Sequence, residues 1–582
     1  MNLSAIQIEW ERHWPAALSL WSRYTRLSEP RWCMSNHEAA AEQLTGSFAM
    51  IRLDNHAVVI NLADIAERGL ADFPLEVMGH EIGHHVYCPG DLADQGRVLA
   101  RIRRGLPTLE AHAPMVANLY EDLFINDKLV HQHNLRIADI YRKLGHGDGE
   151  NSLWRLYLRI YEILWALPTG DLCGAPLKPD EEGDAQLGAR LIRVYGRDWV
   201  KGAGRFGALC LRYLMQDAGS QNQELMRGWN DMNQPSRDSE AHGLAELDDD
   251  EENSAIHPSE DPLVNDSLDA SGIDRRLNED IEGGRKSAKR YRDVGEYGEL
   301  LRQLGADMSD QQIAIRYYRE LAIPHLISFP RKDLPSVVDP TPEGLERWEI
   351  GDPLEQIDWL ESVTRNPHVV PGLTTVLRTY GDSPGTEPHS APIDLYVGID
   401  CSGSMPNPQR RLSYPVLAGT IVSLSALRAG AKVMACLSGE PGRSIATNGF
   451  VRAQSAVMGL LTDYLGSGTS FGIFRLQEMI DRVTPDSYPL HILILTDTDL
   501  FSSLDSENGK GWHVAQKALT VARGGGTIVM NTVDHHASHF LKEFTRLKDQ
   551  GWNIARISDW EEVVAFARQF SKTTYQASKD KK

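Results

Sequence analysis

The sequence predicts a multidomain protein: a mainly α-helical N-terminal domain with a small β-hairpin or sheet, a disordered acidic linker, and a C-terminal doubly wound α/β domain. Three observations lead there. The chain has 582 residues, too many for one hydrophobic core. Between Asn233 and Gly284 stand 16 acidic residues against three arginines and no aromatic residue, so about 13 of the 21 net negative charges fall in one stretch. From Ala391 onward, apolar runs that read as strands alternate with helical patterns. The expected divisions are 1–232, the linker 233–284, a connecting region 285–390, the α/β domain 391–570 and a flexible tail 571–582.

The overall composition, 41% apolar and 24% charged, is that of a globular protein. "MNLSAIQIEWERHW" carries charges within its first dozen residues and does not read as a secretory signal, and no apolar run is long enough to span a bilayer. The six cysteines are scattered without paired spacing, as suits reduced thiols. A cytoplasmic protein without a membrane partner is the expectation.

In the N-terminal domain, "FAMIRLDNHAVVINL", Phe48 to Leu62, reads as two β runs around a turn at Asp54-Asn55-His56. A helix follows, with Asp72 as candidate N-cap and Pro74 in its first turn. Leu75, Met78, Ile82 and Val86 form its apolar stripe, and His80 and His84 point to nearly the opposite side. Gly79 and Gly83 flank the stripe and are expected to let a neighbouring segment approach closely. The core of this helix is "GHEIGHH", Gly79 to His85. Two imidazoles at i and i+4 can share one tetrahedral zinc, and Glu81 is then placed to take a proton from water. Downstream, in "ANLYEDLFIND", Asn118, Glu121, Asp122 and Ile125 share a helical face, and a carboxylate there can complete the ligand set. "NSLWRLYLRIYEILWAL" and "DAQLGARLIRVYG" have the periodicity of helices whose aromatic and leucine stripes are core.

Hairpin, His-Glu-x-x-His helix and a second helix with Glu-Asp resemble the zincin type of metallopeptidase in its glutamate-ligand branch, over Phe48 to Asp127. The resemblance implies His80, His84 and Glu121 as zinc ligands and Glu81 as general base. It also implies that the hairpin's edge strand, Val58 to Leu62, pairs with an extended peptide. Glu121 does not stand in the Glu-x-x-x-Asp of the best-known members, so Asp122 and His112 remain alternatives for the third ligand. His85 is expected as a supporting or surface residue, and Cys88 as a small buried hydrophobe.

Beyond the acidic stretch, which is too poor in apolar residues to offset the entropy of ordering, the C-terminal domain opens with "APIDLYVGIDCSGSM". This is a buried-type strand running into Asp400-x-Ser402-x-Ser404. "LGSGTSFG" supplies Thr469, and "LHILILTDTDL" is a second apolar strand ending at Asp497, with Asp499 two residues further on. Hydroxyls and carboxylates at strand ends make an oxygen-rich site for a hard cation, magnesium above all. "RLSYPVLAGTIVSLSALRAG", "GIFRLQEMIDRV" and "HVAQKALTVARGGG" read as helices, the last ended by glycine, and "AKVMACLSG" and "TIVMNTV" as strands.

From Ile393 to Gln569 this pattern resembles the von Willebrand factor A-type domain. The resemblance implies that Ser402, Ser404 and Thr469 contact magnesium directly, that Asp400 and Asp497 do so directly or through water, and that a partner's carboxylate fills the open position. Upstream, "WEIGDPLEQIDW", Trp348 to Trp359, reads as a Gly-Asp-Pro turn with two packed tryptophans. It resembles the arrangement in proteins of this type that partner MoxR-type AAA+ ATPases. The chain has no Gly-x-x-x-x-Gly-Lys-[Ser/Thr] loop of its own. The basic cluster "RKSAKRYR" is expected as a solvated helix face, and no nucleic acid is expected as partner. Two functions follow. One is an ATPase-coupled zinc metallopeptidase with a magnesium adhesion site for protein ligands. The other is a non-catalytic metal-dependent adaptor, or chelatase-like subunit, for protein remodelling or metal insertion.

Overall fold

Helix Leu3–Trp21 opens the chain, its cap made by Asn2, whose side chain accepts the Ser4 N–H at 3.1 Å. The computed structural model describes residues 2–44, 46–144, 151–174, 176–217, 232–233, 241–265, 290–334, 339–383, 389–440, 443–466, 471–483, 489–531 and 540–579. The chain forms two compact units, Met1–Leu321 with Gln409–Arg411, and Ala322–Pro408 with Leu412–Lys582. The first unit thus runs to Leu321 rather than closing at residue 232. Among the described residues no helix is long and apolar enough to cross a membrane.

In the first unit the expected hairpin forms: Ala49–Arg52 and Val58–Asn61 pair antiparallel. Asn55 Oδ1 accepts the Ala57 N–H at 3.0 Å and His56 takes a left-handed φ of 57°. The expectation of a free edge at Val58–Leu62 is overturned. Arg31–Cys33 pairs parallel with Val58–Asn61 on its other side, so this strand lies inside a four-stranded sheet with Ala49–Arg52 and Met232–Asn233 beyond it. All four of its residues are buried. On the sheet pack helix Leu3–Trp21 and the motif helix Pro74–Val86, joined in one core by Trp10, Trp14, Ile51, Ile60, Met78 and Ile82. Phe73, not Asp72, occupies the N-cap position of the motif helix, and Pro74 stands at its first position as expected.

The acidic stretch departs from the expected disordered linker wherever it is described. Residues 234–240 and 266–284 lie outside the described residues, but 241–265 pack into the first unit. Glu246–Leu247 pairs antiparallel with Arg290–Tyr291, making the end of the basic cluster a strand rather than a helix face. Arg101, 2% exposed, donates to Asp248 at 2.8 Å and to Asp250 at 2.7 Å. Arg292, equally buried, donates to both oxygens of Glu251 at 2.8 Å. Asp261 accepts from the Tyr195 hydroxyl at 2.7 Å and from Arg205. Leu244, Ala245 and Val264 supply small buried anchors between the charges. Composition missed this because the compensating arginines, Arg101, Arg205 and Arg292, all lie outside the stretch itself.

The second unit is built on a six-stranded sheet in the order Arg443–Ala446, Val433–Glu440, Asp394–Asp400, Leu490–Thr496, Arg523–Met530, Trp552–Arg556, parallel except for the first strand. Side chains alternate across it. Ile492 and Ile494 join a core with Leu476, Trp512 and Leu547, from helices Ile473–Ile480, Leu500–Ala522 and Leu541–Asp549. On the other face lie helices Tyr414–Arg428 and Trp560–Lys579. The expected strand and helix alternation is present, with two differences. Arg523, in left-handed conformation at φ 57°, and not a glycine, caps Leu500–Ala522, and residues 571–579 continue the last helix instead of forming a flexible tail. The chain leaves Asp394–Asp400 towards one side of the sheet and resumes at Leu490–Thr496 on the other. The topological switch point, where ligands bind in such sheets, therefore lies between the ends of those two strands.

Candidate metal centres

The first site is built where two helices touch. An added Cβ on Gly83 would lie 2.6 Å from Ile125 Cγ2 and 2.6 Å from Trp21 Cζ2, and one on Gly79 would lie 2.8 Å from Leu20 Cδ1. The expected close approach is seen at both glycines and is tightest at Gly83, where helix Ala113–His133 and the end of helix Leu3–Trp21 close on the motif helix. Trp21 Nε1–H donates to the Gly79 carbonyl at 2.7 Å and locks the approach.

Across this contact His80, His84 and Asp122 converge. His80 Nε2 and His84 Nε2 are 3.3 Å apart, and each lies 3.4 Å from Asp122 Oδ1. The outer nitrogens set the tautomers. His84 Nδ1 lies 3.2 Å from the Cys88 carbonyl, an acceptor, so it carries the proton. Asn126 Nδ2 donates to the Tyr161 hydroxyl at 2.8 Å and the Tyr141 hydroxyl at 3.3 Å, which turns its Oδ1 to accept from His80 Nδ1 at 2.8 Å. Both Nε2 atoms thus present lone pairs to each other and to a carboxylate oxygen. Such a triangle needs a cation, a proton or a metal, between its corners. Asn118 Nδ2 donates to the second oxygen, Asp122 Oδ2, at 3.2 Å and leaves Oδ1 directed at the histidines. These three residues form the single His/Cys/Asp/Glu group among the described residues whose geometry could hold a metal ion.

The third position therefore goes to Asp122, not to Glu121. Asn118, Asp122 and Asn126 follow each other at four-residue spacing on one face, while Glu121 is turned by about 100° towards Cys88 and Tyr120. Glu121 is fully buried, its two oxygens have no hydrogen-bond partner among the described residues, and burial, then the charge of Asp122, pushes its pKa well above the usual range. His112 precedes Asp122 by ten residues, about 15 Å of helix, and takes no part. Glu81 is 2% exposed. His85 stacks on His56 with ring centroids 3.9 Å apart, and burial, then the charge of His56, lowers its pKa. Cys88 is a buried thiol, as expected.

Behind His80 stands a wall of tyrosines: Tyr157 and Tyr161, expected as core, with hydroxyls 2.9 Å apart, and Tyr141, whose hydroxyl lies 3.1 Å from that of Tyr157. Burial raises Tyr157 and Tyr161 well above the normal tyrosine range, so all their protons stay available for hydrogen bonds. The signal that could have revealed them is the pair of hydroxyls at i and i+4 on an otherwise apolar face.

The second site lies at the switch point. Asp400 Oδ1 accepts the Ser402 N–H at 2.9 Å and Oδ2 accepts the Thr496 hydroxyl at 2.7 Å, both neutral donors. Ser402 Oγ and Ser404 Oγ are 3.0 Å apart, and Ser404 donates to Asp499 at 3.4 Å. Asp497 Oδ1 accepts the Asp499 N–H at 2.9 Å. Burial raises the pKa of Asp400, with a further contribution from the charge of Asp497. It raises that of Asp497 too, partly opposed by a hydrogen bond from Ser404. The arrangement concentrates oxygen ligands without a cationic side chain in its hydrogen bonds, as a hard cation requires. Asp400, Ser402, Ser404 and Asp497 are brought together, Asp499 joins them, and Thr469 lies outside the described residues. Compared with protein-family models, with curated proteins and with solved structures, the chain matches none, and these two constellations are what speaks for its chemistry.

Proposed function

We propose that the protein is a zinc-dependent, metallopeptidase-like hydrolase joined to a von Willebrand factor A-type domain that captures protein ligands through magnesium. The observation that carries this reading is the triangle of His80, His84 and Asp122. Ligands held about 2.0–2.1 Å from zinc stand about 3.3–3.4 Å apart in a tetrahedron, and the sides of the triangle are 3.3, 3.4 and 3.4 Å. Bound zinc supplies a Lewis acid and lowers the pKa of water to about 7. Glu81 is the base that accepts the proton, Asn126 and the Cys88 carbonyl orient the two imidazoles, and Asn118 orients Asp122. Since Val58–Asn61 is paired on both sides, a peptide substrate enters by another route than pairing with that strand.

In the second unit, Asp400, Ser402, Ser404, Thr469 and Asp497 are the proposed magnesium ligands, and an acidic side chain of a partner completes the shell. The proposed motor is a MoxR-type AAA+ ATPase. Trp348 is buried, but the segment after it exposes Ile350 at 84%, Leu354 at 66%, Trp359 at 54% and Leu360 at 79%, an apolar surface suited to a protein partner. One observation favours the second function, the adaptor or chelatase-like subunit: the side chains of His84 and Asp122 are only 0% and 8% exposed, as in closed structural zinc sites.

The deciding experiment is metal analysis of the purified full chain, followed by hydrolysis of fluorogenic casein with and without the ATPase. Stoichiometric zinc that is lost in Asp122→Ala and His80→Ala, with turnover lost in Glu81→Gln at full zinc occupancy, is expected of the hydrolase. Full zinc without turnover assigns the adaptor. Absence of zinc, unaltered by His80→Ala, refutes the hydrolase.

A further inference from the structure

The six-stranded sheet ends at Trp552–Arg556, and among the described residues no strand pairs with its outer side. Ile557 N–H donates to the Met530 carbonyl at 2.9 Å. Backbone groups alternate along a strand, so Asn553, Ala555 and Ile557 turn inward while Trp552, Ile554 and Arg556 present N–H and C=O outward. Beside this edge lies a cavity of 440 Å³, lined among others by Lys548, Trp552, Ile554, Phe566 and Phe570. Binding pockets commonly measure about 300–1,000 Å³. Trp552 is 2% exposed and its Nε1–H has no acceptor among the described residues. Lys548, exposed at one end of the groove, has no ion-pair partner among them either.

We propose that this groove binds an extended segment of a partner protein. The segment adds as a further strand along Trp552–Arg556, inserts an aromatic or branched aliphatic side chain beside Phe566 and Phe570, and places a carboxylate against Lys548. Outward-facing amides call for a backbone rather than a compact ligand, and the cation selects an acidic segment. A second copy is the wrong occupant. Antiparallel pairing of two such edges would leave the Lys548 of each copy without a carboxylate, because the strand Trp552–Arg556 carries none.

The test uses the full chain and a fluorescein-labelled peptide, Glu-Val-Thr-Phe-Thr-Val, followed by anisotropy. Saturable binding is expected, and it should weaken at least about 10-fold in Ile554→Pro, which deletes an outward N–H together with the Ile554 side chain of the groove, and much less in Ile554→Val, which keeps the N–H. Lys548→Glu should shift the preference to the peptide starting with lysine. Should Ile554→Pro lower the melting temperature, the same peptide N-methylated at alternate residues decides, because it keeps the side chains and loses the backbone pairing. Absence of saturation up to about 1 mM, equal binding of the methylated peptide, or dimerisation of the wild type that Ile554→Pro abolishes would each overturn the proposal.

Discussion

Replacing Gly83 by alanine tests whether helix packing sets the metal triangle. The new Cβ would stand 2.6 Å from both Ile125 Cγ2 and Trp21 Cζ2. Comfortable carbon contacts lie at about 3.5–4.0 Å, so roughly 1 Å must open on each side. Trp21 is held by its hydrogen bond to Gly79 and cannot swing away, so helix Ala113–His133 is the element that moves. Ile125 is one turn from Asp122, and a shift of about 1 Å far exceeds the roughly 0.2 Å tolerance of a metal site. Overpacking costs about 1–3 kcal/mol, while the better helix propensity of alanine returns about 1 kcal/mol. A small net loss of stability, with zinc affinity reduced at least about 10-fold, is expected from thermal unfolding and chelator competition on the same samples. Gly79→Ala is the control. Its Cβ would crowd the rotatable end of Leu20 at 2.8 Å and meet Leu129 at an ordinary contact distance of 3.6 Å, so stability and zinc should hold. If Gly83→Ala melts at or above the wild-type temperature and binds zinc as the wild type does, propensity alone governs the helix and the packing argument is wrong.

Burial lowers the pKa of His491 from 6.5 to about 4, although the Gly524 carbonyl pulls the other way. The unfolded chain therefore binds more protons between these values, and stability falls as pH drops from about 6.5 to about 4, by about 3 kcal/mol over the window. Denaturant unfolding at pH 7 and 4.5 should show this loss, reduced in His491→Gln. Asp400→Asn removes a buried charge and keeps one acceptor oxygen for the Ser402 N–H, while its amide nitrogen faces Thr496, whose hydroxyl must then accept instead of donate. Magnesium should raise the melting temperature of the wild type and leave the variant unmoved in the same scan. Arg101→Ala removes charged hydrogen bonds to Asp248 and Asp250, should cost about 2 kcal/mol, and should admit a Glu-specific protease at Glu246, Glu251, Glu252 and Glu260 within minutes of digestion.

The elements with strong period were legible in the sequence: the hairpin around Asp54, the histidine helix, and the alternating strands and helices from Asp394 onward. So were His80, His84, Asp400, Ser402, Ser404 and Asp497, because their spacing is local. What failed was long-range. The choice between Glu121 and Asp122 depends on the rotation of one helix against another, set by Gly83 and Ile125, which adjacent positions do not reveal. Val58–Asn61 read as an edge because its second neighbour, Arg31–Cys33, is only three residues long and too short for a pattern. Asn126 and Tyr141 had no local signature, and Tyr157 and Tyr161 showed only two hydroxyls four residues apart on an apolar stripe.

The docked acidic segment changes what a deletion there would mean. A Cβ on Gly204 would collide with the Ser254 side chain at 2.6 Å and its carbonyl at 2.7 Å, so helix Trp199–Asp217 is shaped to receive this segment. Trimming residues 246–261 to obtain a less charged, more tractable protein would strip the carboxylates from Arg101 and Arg205 and leave Arg292 with Glu296 in place of Glu251. Such a cut is surgery on the wall of the first unit rather than the shortening of a tether.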